Sequence, residues 1–221
     1  MSEVKLKEKS EFSQRLIQWW KVSGRKFPWR TESDSFKIFI AETFLQRTRA
    51  ENVSSIYLKF IKKFPDFQSL ANADRGDVLD IASSLGLEWR TNKLLETSKL
   101  IMKDFGGRLP SSREKLLTLP GVGDYIASAV RVFSFGELDE LIDANTVRVI
   151  CRINGRTSND STRREKKIKN IYGLLLSKSD PREFGYAMID LASVICTPRK
   201  PKCSLCPVIQ HCKTRNTFSG K

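Results

Sequence analysis

Four of the five cysteines fall in one stretch, CTPRKPKCSLCPVIQHC, spaced Cys196-x6-Cys203-x2-Cys206-x5-Cys212. Four thiolates this close in sequence can enclose one metal centre. Zinc takes four thiolates, usually as two close pairs. A four-iron, four-sulfur cluster is also held by four thiolates. Only Cys203 and Cys206 make a close pair here, which leans toward iron–sulfur and leaves zinc open. A secreted disulfide framework would spread its cysteines and pair them. The fifth, Cys151, lies in an apolar helical pattern and reads as a buried free thiol. The single histidine, His211, reads as a solvent-exposed bystander to the four thiols. One histidine nearly removes histidine triads and histidine-rich metal centres from consideration.

A second chemical feature is LPGVGDYIASAV at 119–130. Gly121 and Gly123 permit backbone angles that other residues resist, and they let a second backbone come close. Between a helix over 111–118 and one starting near Asp124, such a turn points successive N–H groups outward at a helix N-terminus. That geometry binds phosphate oxygens. In isolation, PGVG is more simply an interhelical turn, and Tyr125 more simply helix-start packing.

Two carboxylates stand out. Glu42 lies on SFKIFIAETFLQRT, with Ile38, Leu45 and Gln46 as its neighbours one turn away. A glutamate on so apolar a face is unusual. Burial would raise its pKa, which suits a proton donor or a hydrogen-bonding partner of a base. An exposed glutamate at the helix edge is the rival reading. Asp143 opens the helix DANTVRVICR, where an N-cap is worth about 1 kcal/mol. A carboxylate tied to helix N–H groups is also favoured in its ionised form.

The elements that must carry these groups read as helix after helix, with no convincing alternating strand. The spacing predicts helices over about 10–21, 35–48, 51–64, 67–72, 75–84, 90–105, 111–118, 124–135, 144–154, 162–178 and 181–196. Asp34 and Ser35 are possible caps for the second, and Gly106–Gly107 end the sixth. The run STRREKKIKN reads as a solvated face, with a phosphate-contacting edge second. There is no internal repeat. Lys and Arg number 39 against 25 Asp and Glu, a formal charge of +14 over 221 residues. Such a balance attracts polyanions, nucleic acid first and an anionic membrane surface second. No apolar run approaches the ~20 residues that cross a bilayer, and the charged N-terminus has no signal-peptide core. These features predict a soluble, cytoplasmic protein.

In order along the chain, GRKFPWR (24–30), AETFLQRT (41–48), LGL (85–87), LPGVGDY (119–125), DANTVRV (143–149) and the cysteine cluster resemble the helix-hairpin-helix, Gly/Pro…Asp (HhH-GPD) superfamily of DNA base-excision glycosylases. The resemblance covers nearly the whole chain. It implies an all-α fold of two helical modules. Residues 27–136 would carry the hairpin, and 1–26 with 137–221 would form a discontinuous module holding a structural 4Fe-4S cluster on Cys196, Cys203, Cys206 and Cys212. Arg199, Lys200 and Lys202 would then meet DNA phosphates.

The resemblance also assigns the chemistry. Base excision breaks a C1′–N bond to an extruded base. Asp143 matches the carboxylate that stabilises the positive charge developing on the sugar. Glu42 stands where adenine glycosylases carry their catalytic glutamate, and the two would face one cleft. Gln46 and Leu87 match positions that insert into the DNA stack. Tyr125 replaces the lysine with which endonuclease III forms a Schiff base; a phenol forms no imine, so the reaction should stop at base removal.

Base choice draws on further positions. AETFLQRT and the cysteine stretch resemble adenine glycosylases, which act on A·G or A·8-oxoguanine. Arg47, Ala50, Tyr125, Asn145 and the short chain resemble the Mig-type enzymes that remove thymine or uracil opposite guanine. Tyr186 stands where adenine glycosylases usually carry a glutamine facing the base. The expectation is a monomeric, monofunctional thymine/uracil mismatch glycosylase acting on double-stranded DNA. Its rivals are an adenine glycosylase, a non-enzymatic hairpin DNA-binding module and a zinc-stabilised DNA-binding protein.

Overall fold

The structure, a computed structural model, describes residues 3–86, 88–159, 161–176 and 179–217. Their regular structure is helical, with no strand among the described residues. The helices are α1 (Glu3–Ser23), α2 (Ser35–Leu45), α3 (Ala50–Lys63), α4 (Phe67–Ala71), α5 (Arg75–Ala82), α6 (Glu88–Phe105), α7 (Arg113–Leu117), α8 (Asp124–Phe135), α9 (Ala144–Ile153), α10 (Lys166–Leu176) and α11 (Pro181–Asp190). No helix is long and apolar enough to cross a membrane among the described residues. The chain divides into two compact units, one of Lys26–Phe135 and one of Met1–Arg25 with Gly136–Lys221.

In the first unit α2 is the central element. Asp34 caps it by accepting from the Lys37 N–H at 3.0 Å. Phe36 and every residue from Ile38 to Phe44 are then buried, because α2 packs against α3, α6 and α8. Aromatic rings fill the space around it. Phe44 meets Phe60 edge-on at 4.9 Å, and Trp29 meets Tyr57 edge-on at 5.4 Å. The helix ends at Leu45, short of the expected 48. Gln46 leaves the helical conformation and Arg47 adopts φ +55°. Gln46 and Arg47 therefore sit on a turn, not on a helix face.

In the second unit α1 packs on α10 and α11, and α9 on α10 and α11. Phe12, Leu16, Val147, Ile150, Tyr172 and Phe184 are buried there. Helix α1 begins at Glu3, two turns before the periodic region. EVKLKEK lacks an apolar period but consists largely of good helix formers. Helix α10 starts at Lys166, later than expected, because Asn159 Oδ1 accepts from the Ser161 and Thr162 N–H groups at 3.1 Å each and holds them in a separate turn.

Helix α11 ends at the fully buried Asp190. That carboxylate accepts from Trp20 Nε1 at 3.1 Å, the Arg25 N–H at 3.0 Å and Arg25 Nε at 2.8 Å. A buried charge held by Trp20 and Arg25 ties the end of α1 to α11. The chain then widens into a π-helical turn, Leu191–Ile195, of a kind common at functional sites. Its last bond, from the Cys196 N–H to Leu191 O at 2.7 Å, presents the first cysteine of the cluster.

Candidate active site

The glycine turn lies between α7 and α8. Val122 is buried and Gly121 takes φ +79°. A Cβ on Gly121 would stand 3.1 Å from Lys93 Cβ on α6. Glycine is thus required at 121 by conformation and by space. Gly123 differs from expectation: its φ is not in the left-handed region, and a Cβ there would meet nothing within 4 Å. Its lack of a side chain leaves open surface before α8, where a phosphate backbone could approach. Thr97 on α6 donates to Pro120 O at 2.7 Å. Arg113 pairs with Asp124 and donates to Ser128 Oγ at 2.8 Å, fixing the start of α8. Tyr125, second in α8, is half-buried.

Glu42 is only 4% exposed, so it is not a solvated helix-edge residue. One turn on, Gln46 Nε2 reaches Gly121 O at 3.5 Å. Gln46, Trp89, Lys93 and Gly121 line one shallow cleft. Trp89, 47% exposed, had no reading in the sequence, although an aromatic two residues after LGL was visible. Ala50 is half-buried as the first residue of α3. Leu87 lies outside the described residues.

Asp143 caps α9. Its Oδ1 accepts from the Asn145 and Thr146 N–H groups at 3.1 and 2.7 Å, and Thr146 Oγ1 accepts from the Asp143 N–H at 3.0 Å. The second carboxylate oxygen takes Asn145 Nδ2 at 2.9 Å. Asn145 Oδ1 in turn accepts from Arg148 Nη1 at 3.0 Å, and Arg148 Nε donates to Cys196 O at 3.0 Å. Hydrogen bonds therefore run without a break from the Asp143 carboxylate to the first cysteine of the cluster. Burial is the main influence on the Arg148 guanidinium and lowers its pKa. This part of the site was only half legible: the sequence pointed to Asp143 and Asn145 but gave Arg148 no role.

The four cluster cysteines line one cavity together with Arg152, Ile195, Pro201, Ile209 and Thr214. Arg152 braces both ends of the loop. Its Nη1 donates to Cys196 Sγ at 3.4 Å and to Thr197 O at 2.8 Å, while its own carbonyl accepts from Thr214 Oγ1 at 3.1 Å. The four thiols line one cavity, an all-sulfur donor set that fits an iron–sulfur cluster. Burial pushes the Cys206 thiol up to about 11; coordination to iron would reverse that.

Arg199, Lys200 and Lys202 are exposed on this loop. His211 is half-buried, edge-on to Phe12 at 5.9 Å, not in open solvent as expected. Cys151 is buried, and burial raises its pKa. Tyr186 is also buried and stacks on Trp20 at 6.0 Å.

The family model described as HhH-GPD superfamily base excision DNA repair protein matches residues 40–172. That of the iron–sulfur binding domain of endonuclease III matches residues 196–212. The thymine-DNA glycosylase of Aeropyrum pernix is 39% identical over 204 residues, 90% of this chain and 91% of that protein. The thymine/uracil-DNA glycosylase of Methanothermobacter thermautotrophicus is 33% identical over 96% of each chain. Among solved structures, a thermostable thymine-DNA glycosylase superposes with a TM-score of 0.88 at 32% identity, over 96% of this chain and 98% of that one.

Proposed function

The chain belongs to the HhH-GPD superfamily of base excision DNA repair proteins, and from that premise we propose that it is a monofunctional DNA glycosylase removing thymine or uracil mispaired with guanine. Residues 196–212 form its iron–sulfur binding domain. The cluster, held by Cys196, Cys203, Cys206 and Cys212, supplies structural bracing when bound. The protein works as a monomer on double-stranded DNA, in the cytoplasm at the nucleoid, or in a nucleus. The hairpin belongs to the module of residues 27–136, and the cluster to the discontinuous module of 1–26 and 137–221.

One observation carries this reading: two carboxylates are held away from ordinary surface roles. Glu42 is buried in an apolar helix, and Asp143 is fixed by three donors at a helix start. In the proposed reaction the C1′–N1 bond breaks and its electron pair leaves with the pyrimidine. Positive charge grows on the sugar, where the Asp143 carboxylate stabilises it. Water attacks C1′ and gives its proton to Asp143. Thymine has no free ring nitrogen to protonate, so Glu42 acts by hydrogen bonding to the pyrimidine edge, directly or through water. Gln46 and Leu87 fill the stack the base has left. Arg47, Gly121, Gly123, Asn145 and Lys200 hold the DNA, with Ala50 and Tyr186 shaping the base pocket.

Excision assays on G·T, G·U, A·G and A·8-oxoguanine duplexes test the assignment. Release from G·T and G·U with little from the adenine pairs is the expected outcome. Preferential release of adenine would make the protein an adenine glycosylase, and tight binding with no release would make it a binding module. Tyr125 sets where the reaction ends. With no amine at this position, the product is an intact abasic strand. Tyr125→Lys is predicted to add strand cleavage, read as a borohydride-trapped protein–DNA adduct that the parent lacks. An equal adduct from both proteins would show that another amine does the work.

A further inference from the structure

Helix α2 stops at Leu45 without a glycine. The next turn passes through Arg47 at φ +55°, the one non-glycine residue with positive φ among the described residues. A side chain rarely adopts that conformation unless its surroundings impose it. The carbonyls at the end of α2 also lose their helical partners there. Both problems meet at Arg90, third residue of α6, which is 4% exposed. Its Nη1 donates to Thr43 O at 3.2 Å, Phe44 O at 2.8 Å and Gln46 O at 2.7 Å. Its Nη2 donates to Thr48 Oγ1 and to Leu85 O, each at 3.0 Å.

Those five acceptors belong to two turns that are distant in sequence. One carries Gln46 and Arg47. The other, Leu85–Gly86, lies just before α6. A planar guanidinium with a fixed fork can hold both at one spacing, and an ammonium cannot. Buried and committed to these acceptors, Arg90 is not a phosphate contact. We propose that Arg90 is a positioning residue that locks the two turns to each other and to the start of α6, so that Gln46 meets the space left by an extruded base from a rigid support. This rests on the glycosylase reading. It places the effect of Arg90 on base extrusion rather than on bond cleavage.

The test uses the full-length, cluster-loaded protein with Arg90→Lys, and Thr48→Val as a milder variant that removes one acceptor. Amide hydrogen exchange in the free protein reads the clamp without reference to any substrate. Exchange should rise on the order of tenfold or more in both 44–48 and 84–86 in Arg90→Lys, with α3 unchanged. A rise in only one turn, or an equal rise in α3, overturns the clamp. Single-turnover excision reads its purpose. From a G·U duplex, Arg90→Lys should be slower by on the order of 10- to 100-fold. Opposite an abasic site, where the uracil leaves the stack at little cost, most of that loss should vanish. Equal loss on both substrates, or none on either, overturns the positioning role. Should Arg90→Lys fail to fold, Thr48→Val must show the same pattern at smaller size, and its absence counts against the proposal. If the parent excises nothing, the glycosylase reading fails while the exchange arm still decides the clamp.

Discussion

The Asp143→Asn protein is expected to bind a G·T duplex and to remove almost no thymine from it. Single-turnover excision should fall on the order of 1000-fold, the scale set by losing a fixed electrostatic partner of the transition state. Asparagine caps helices about as well as aspartate. Its Oδ1 can still serve the Asn145 and Thr146 N–H groups that now bond Asp143 at 3.1 and 2.7 Å. Its new amide would face Asn145 Nδ2; turning the Asn145 side chain over to meet it gives up the exposed bond from Arg148 Nη1, a loss of about 1 kcal/mol. Folding should therefore hold while the charge is gone. Asp143→Ser is the companion variant, since serine also caps and brings no carboxylate. Unchanged melting with lost excision in both separates a chemical role from a capping one. Lost melting with proportionate loss of excision would reduce Asp143 to a cap.

Glu42→Gln should lower excision on the order of 100- to 1000-fold and leave mismatch binding nearly intact. Glutamine fills the same volume in a helix whose residues from Ile38 to Phe44 are all buried, so packing is preserved. Unchanged single-turnover excision would remove Glu42 from the chemistry. A further outcome is informative about thymine itself. A glutamine N–H can still donate to a pyrimidine oxygen, so partial activity would point to hydrogen bonding, and complete loss to a step that needs the carboxyl group.

What the sequence disclosed followed local rules. Apolar periodicity located α2, α3, α8 and α9. Asp34 and Asp143 marked their helix starts through the hydrogen bonds that cap them. Cysteine spacing located the cluster loop, where four thiols do line one cavity. What stayed hidden was decided by partners far along the chain. Nothing near position 47 signals a left-handed residue, because the group that stabilises that turn is Arg90, over forty positions away. Arg148 and Arg152 sit on α9 as ordinary helix residues until the cluster loop folds against them. The π-helical turn before Cys196 follows the same logic, since its apolar residues read equally well as one more turn of α11. Gly123 shows the reverse: a motif residue assumed to be needed for its backbone angle is instead a place kept empty.

The most direct measurement is a crystal structure of the Asp143→Asn protein on a G·T duplex. The thymine should be out of the stack. The residue 143 amide should lie within about 4 Å of the deoxyribose C1′, contact distance, with Glu42 bonded to the base edge or to a water on it. A thymine still paired, or a residue 143 side chain remote from that sugar, would contradict the two-carboxylate mechanism.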